Sequence, residues 1–254
     1  MDRPLKKLNE KAKKVLVLMA EHNYISINEV KLLVSERTAA RYLTSFKKWG
    51  ITQSIEFPYS YKRNVIHCLT PWGYKVLENH KRLRTKKRFT PSSLRPSYVL
   101  HNLTVIQARL AIEKHPDVVD FQSEKVMRHY YWETHHETFR GKSCDAEVFI
   151  QRAKKYKVGL EVQISRKAID TYQSYMRKLD QRSDLDLILW VCADKNIMKG
   201  LQLAARKEGS SQGYWFTTTE ELKEKGLEGA TWQTRNGEIK ALIGSAQYHL
   251  PTAQ

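Results

Sequence analysis

Apolar positions recur at three- to four-residue intervals between 9 and 22, where Ala12, Val15, Leu16, Leu18 and Met19 predict an amphipathic helix. Ser26 has the side chain of an N-cap and opens a shorter helix carrying Ile27, Val30 and Leu33. Ser35 is placed to cap a third, SERTAARYLTSFKKWGI. Its Ala40, Leu43 and Phe46 point inward, Arg37, Thr38, Arg41 and Tyr42 point outward, and Gly50 stops it. The period then changes from helical to alternating. Residues 51–57 and 61–69 read as two strands joined by Pro58, Tyr59 and Ser60, and Thr70-Pro71 starts a fourth helix through N-cap and N1 chemistry.

From 80 to 95 the run HKRLRTKKRFTPSSLR has no apolar period and reads as a basic linker. Residues 97–115 form a helix with Val99, Leu103, Ile106 and Leu110 inward, ended by Pro116. Residues 118–127 read as a strand, and the stretch RHYYWETHHETFRGK after it as an aromatic hairpin packing on a sheet or on DNA bases. Two alternating strands follow. In CDAEVFI, Ala146, Val148 and Ile150 point one way and Asp145 and Glu147 the other; in LEVQI, Leu160, Val162 and Ile164 oppose Glu161 and Gln163. If these strands pair, the carboxylates share a face. A helix over 168–182 carries Ile169, Tyr172, Tyr175, Met176 and Leu179, and LDLILWVC over 185–192 is apolar enough for a strand covered on both faces. A helix at 196–207, a strand at 214–217, a helix capped at Thr219 and a hairpin turning at Asn236-Gly237 complete the chain.

Charge divides this pattern in two. Residues 1–98 carry 21 Lys and Arg against 7 Asp and Glu, whereas the remainder carries 23 against 20, within a net charge of +17. Such an asymmetry points to a polyanion, nucleic acid first and an anionic membrane surface second. Three helices and a hairpin are the order of a winged helix-turn-helix, a module that binds DNA and in some cases protein. On the DNA reading the third helix enters the major groove with Arg37, Thr38, Arg41, Tyr42, Lys47 and Lys48, and Lys62 and Arg63 at the wing touch phosphate. The basic linker could follow the phosphate backbone as well.

The expected fold class is therefore α+β and α/β in two domains: a winged helix over 1–79, a linker over 80–96, and a second domain over 97–254 ordered helix, three strands, helix, strand. No apolar run approaches the roughly 18 residues of a membrane span, and MDRPLKKLNEKAKK lacks a signal peptide's apolar core, so no membrane insertion and a cytoplasmic location are expected. Cys68, Cys144 and Cys192 are too widely spaced for a disulfide framework or a zinc site and are expected in the core, reduced.

Neighbouring acidic strands supply what a hard cation such as Mg2+ or Mn2+ takes: one or two protein carboxylates, with water and phosphate oxygens at the other positions. The reaction that suggests is metal-assisted hydrolysis of a phosphodiester. The order of elements over about 97–193, the acid that begins CDAEVFI and the Glu-x-Gln of LEVQI resemble the PD-(D/E)xK nuclease fold of restriction-endonuclease-like enzymes. Cys144 stands where that motif has Pro, and Gln163 where it has Lys. Together with the N-terminal module, His101, CDAEVFI and LEVQISRKAIDTYQSYMRKL resemble the replication-relaxation proteins and C-class mobilisation relaxases of bacterial plasmids.

That resemblance implies a protein that binds a plasmid origin of replication or transfer, works with double- and single-stranded DNA and other mobilisation proteins, and nicks one strand. By position, Asp145 and Glu161 would hold the metal with the Val162 carbonyl, and Glu147 would be a second-metal ligand or a water-orienting base. Gln163 or Lys167 would position the water or steady the phosphate. Arg166, Arg177 and Lys178 would hold the strand being cut, or simply solvate a helix. Tyr130 or Tyr131 offers a covalent nucleophile. Relaxases that bind metal through clustered histidines suggest a rival role for His129, His135 and His136, though His135 and His136, being adjacent, would point opposite ways on a strand. His101 is a core histidine or a residue at the mouth of the site. Without the motif Lys, a non-catalytic origin-binding factor is the alternative; a transcriptional regulator would leave Asp145, Glu147 and Glu161 unexplained.

Overall fold

Asn9 caps α1 (Glu10–His22) by accepting the Ala12 N–H, and Ser26 and Glu29 form a reciprocal capping box on α2 (Ile27–Lys31). These elements open a computed structural model that describes residues 8–59, 62–134, 143–210, 212–240 and 242. It is mixed α and β and divides into two units, Met1–Gln107 and Ala108–Gln254.

In the first unit, α3 (Glu36–Lys48) is closed by Gly50 in the left-handed region, which lets the chain turn directly into β1 (Thr52–Tyr59). β1 pairs antiparallel with β2 (Lys62–Leu69), and Ile25 adds a further bridge to His67. α4 (Pro71–Asn79) follows with Thr70 as its cap. Leu16, Met19, Ile25, Phe46, Ile66 and Leu77 are fully buried between these elements.

Two expectations change here. The inward stripe of α3 is Ala39, Tyr42, Leu43 and Phe46, one position out of phase with the predicted Ala40, which is exposed. Tyr42, expected on the DNA-facing side, is instead buried; its ring stacks on Phe46 and its hydroxyl donates to Asn9 Oδ1 at 2.9 Å. The basic segment expected to be a linker is laid down within the first unit. Thr85 is buried, the Phe89 ring meets Tyr24 edge-on at 5.5 Å, the Phe89 N–H donates to the Tyr74 hydroxyl, and Arg82 and Arg84 pair with Glu10 and Glu21. Its regular structure is one 3-10 turn, Pro91–Ser93, before α5 (Pro96–Ile112), which carries half-buried His101 and runs through the boundary between the units.

The second unit is built on a seven-stranded sheet. Its strands, in spatial and chain order, are β3 (Val118–Ser123), β4 (Ala146–Gln151), β5 (Lys155–Gln163), β6 (Leu187–Cys192), β7 (Tyr214–Thr218), β8 (Trp232–Thr234) and β9 (Ile239–Lys240). The pairs β3–β4 and β4–β5 are antiparallel, β5–β6 and β6–β7 parallel, and β7–β8 and β8–β9 antiparallel. β6 is buried along its whole length, as expected of a strand covered on both faces. α7 (Ile169–Leu179) and α8 (Lys195–Glu208) make the crossovers and pack on each other over the face carrying Ile188, Trp190 and Cys192. α9 (Thr219–Gly229) is capped by Thr218, one residue before the expected Thr219.

One element differs in kind. The predicted strand over 118–127 ends at Ser123, and Glu124–Thr134 is a helix, α6, so Tyr130 and Tyr131 are helical and not part of a hairpin. Ser123 Oγ accepts the Val126 N–H, and Val126 and Met127 recur four residues later as Tyr130 and Tyr131, a helical spacing. His135 and His136 lie outside the described residues. All three cysteines are buried and free, and no helix among the described residues is long and apolar enough to cross a membrane.

Candidate functional site

Antiparallel pairing sets Ala146 against Leu160 and Glu147 against Gly159, so side chains alternate in step on β4 and β5. Glu147, Glu161 and Gln163 therefore share the face covered by α7 and α8, and Asp145 is the residue before β4. Asp145 Oδ2 accepts the Val162 N–H at 2.8 Å, which ties its carboxylate to the C-terminal end of β5. Glu161 is 3 % exposed, and in the parallel register it lies beside Trp190. Parallel strands place ligands beyond their carboxyl ends, and this pair sits at that edge of β5 and β6.

The side chains that would complete such a site are otherwise engaged. Gln163 is buried and its amide donates to the Ser165 carbonyl at 2.6 Å. Lys167 precedes α7; its N–H donates to the Tyr172 hydroxyl at 3.0 Å, and its ammonium lies 3.3 Å from the Tyr175 hydroxyl and 4.5 Å from that ring's centroid. Tyr172 and Tyr175 thus hold the Ser165–Lys167 turn that follows β5. Arg166 is exposed, and Arg177 faces Glu208 at 3.1 Å.

Glu147 is not placed as a metal ligand or a base. It is 1 % exposed, with Arg182 Nη2 at 2.5 Å and Lys157 Nζ at 3.0 Å. Arg182 also grips Asp184 through Nε and Nη2, and Lys157 bonds Asp184 and the Tyr131 hydroxyl. Two cations, Arg182 and Lys157, thus face two carboxylates, Glu147 and Asp184. Burial alone would raise the Asp184 pKa, but hydrogen bonds from Arg182 and then Lys157 outweigh it and hold that carboxyl well below the usual range. Sequence reasoning missed Lys157, Arg182 and Asp184. Arg182 and Asp184 follow α7 in an ordinary polar turn, and only the folded register brings them to Glu147.

On the first unit, Arg37, Arg41, Thr44 and Lys48 are exposed and spaced four, three and four residues apart, a single stripe along α3. Thr38 accepts a hydrogen bond from Ser35 Oγ. Lys47, also exposed, acts toward the hairpin: burial first, and the Lys47 charge second, lower the His67 pKa. Lys62 and Arg63 begin β2, paired with Tyr59 and Pro58.

The geometry defines a class no narrower than a mixed α and β protein with a cationic helix face in one unit and, in the other, two carboxylates near the C-terminal end of a sheet strand. Comparison of the chain with protein-family models, with curated proteins and with solved structures finds no match.

Proposed function

We propose that the protein binds a specific DNA site through its first unit and nicks one strand there by metal-assisted hydrolysis in its second, in the manner of a relaxase acting at a plasmid origin. The observation that carries this reading is the hydrogen bond that holds the Asp145 carboxylate on the Val162 N–H, next in the chain to Glu161 near the C-terminal end of β5. Support for a winged helix comes from the order α1, α2, α3, β1, β2 and from the Ile25 bridge to His67, which gives the hairpin a short third strand. Support for a restriction-endonuclease-like core comes from the run β3, β4, β5, α7, β6, antiparallel twice and then parallel, with α6 as an insertion.

A divalent metal suits this donor set. Two carboxylates are the protein share a Mg2+ or Mn2+ ion usually takes, and no larger group of His, Cys, Asp and Glu side chains occurs among the described residues. Asp145 and Glu161 would hold it, and when bound it would polarise the phosphate and the attacking water. Lys167 would stand in for the absent motif Lys, turning its ammonium from Tyr175 to the phosphate. A Tyr131 nucleophile is disfavoured by its hydroxyl bond to Lys157, which also holds Glu147 and Asp184.

A second reading, origin binding without cleavage, is favoured by the Gln163 amide folded onto Ser165. Cooperation with other mobilisation proteins belongs to either reading. Incubating supercoiled plasmid bearing the bound site with protein and Mg2+ or Mn2+ separates them. The expected result is open circles with one unique nick, lost in Asp145→Ala while duplex binding is kept; tight binding that leaves every supercoil intact would favour the second.

A further inference from the structure

The far ends of β4 and β5 carry groups that the acidic pair does not use. The turn between these strands and the start of β5 supply Arg152, Lys154, Lys155 and Lys157, and three of these ammonium groups rest on aromatic rings. Lys155 Nζ lies 4.6 Å from the Phe149 centroid, Lys154 Nζ 4.7 Å from that of Tyr156, and Lys157 Nζ 5.6 Å from that of Tyr131. The Tyr131 ring meets Tyr130 edge-on at 5.7 Å, and Tyr130 is 50 % exposed. Strand alternation puts Phe149, Lys155 and Lys157 on one face and Tyr156 on the other, and the Lys157 bond to the Tyr131 hydroxyl brings the tyrosine pair to the first of these. Three of the cations already have carboxylate partners: Arg152 with Asp117, Lys154 with Asp186, and Lys157 with Asp184 and Glu147. Lys155 is exposed and has no acidic partner among the described residues.

The half-buried Phe149 ring under the Lys155 ammonium, with the exposed Tyr130 ring further along, offers two things at once. A nucleobase can stack on the ring more extensively than a lysine ammonium does, and the displaced ammonium remains within reach of the adjoining phosphate. A duplex cannot use this arrangement, because its bases are already stacked on each other.

We propose that Tyr130, Tyr131, Phe149 and Lys155 form a docking surface for single-stranded DNA. It rests on the reading that this protein acts on DNA, but it does not require cleavage. The cluster of Glu147, Arg182, Lys157 and Asp184 gives the surface a rigid floor, because it ties α6, β4, β5 and the turn after α7 together.

Fluorescence anisotropy of the full-length protein with a short labelled single strand, the same strand made abasic, and a duplex carrying the bound site tests the proposal. Tyr130→Ala combined with Lys155→Ala is expected to weaken single-strand binding about tenfold while leaving duplex binding unchanged. Wild-type protein is expected to bind the base-bearing strand more tightly than the abasic one. The proposal is overturned if the double variant binds the single strand as wild type does, if the abasic strand binds equally well, or if RNA of the same sequence binds more tightly than DNA. Binding to the single strand through these residues, with no affinity for any duplex, would uphold the surface and count against the first-unit reading.

Discussion

At the scale of single residues, Arg182 and Lys157 depend on Glu147 as much as it depends on them. Removing one partner from a buried ion pair leaves the other charged, desolvated and uncompensated, a loss of about 3–5 kcal/mol. Glu147→Ala is therefore expected to lower unfolding stability by that order, read as a shift of the urea midpoint. If the variant kept its stability and lost only nicking, Glu147 would be a catalytic group. Legibility followed side-chain environment. Alternation alone put Glu147 and Glu161 on one face, because a strand's period of two admits little ambiguity. What became of Glu147 depended on Arg182, 35 residues away, which no local pattern ties to it. Tyr42 was misread because a helical stripe is wide enough to be shifted by one position, and an aromatic ring settles inward when a partner such as Asn9 can take its hydroxyl bond.

At the scale of elements, the Cys144 and Leu185 side chains close over β5 because Gly159 has no side chain. A Cβ built there would stand 2.8 Å from Cys144 Sγ and 3.0 Å from Leu185 Cδ1, so Gly159→Ala must shift the Cys144 or Leu185 side chain. Overpacking of this kind costs about 1–3 kcal/mol. A lowered melting temperature is expected, together with weakened nicking, since Asp145 follows Cys144 directly; an unchanged melting temperature would show that the site relaxes freely. The helices of the first unit were legible because their caps were. Ser26 and Thr70 each accept a backbone N–H in the first turn of their helices, and Gly50 has the positive φ its stop position suggested. α6 was not legible as a helix, because its Ser cap falls inside a run whose β-propensity matches a continuing strand, and three-dimensional packing decided between them.

At the scale of the molecule, the basic excess follows the division into units. Residues 99–107 hold no Lys, Arg, Asp or Glu, so the first unit keeps the whole excess counted over residues 1–98, with 21 cationic side chains against 7 acidic ones. Duplex affinity is accordingly expected to fall steeply with salt, and Lys48→Ala to flatten the slope of log affinity against log salt by about one unit. A slope insensitive to this change would remove Lys48 from the interface. The sheet of the second unit has its own protection at the β3 edge. Between Val118 and Asp120 the register with β4 shifts, leaving Val119 as an extra, exposed residue. Such a bulge breaks the even row of N–H and C=O groups along the outer side of β3, so another chain has no straight template on which to add a strand, and self-association by sheet extension is discouraged at that edge.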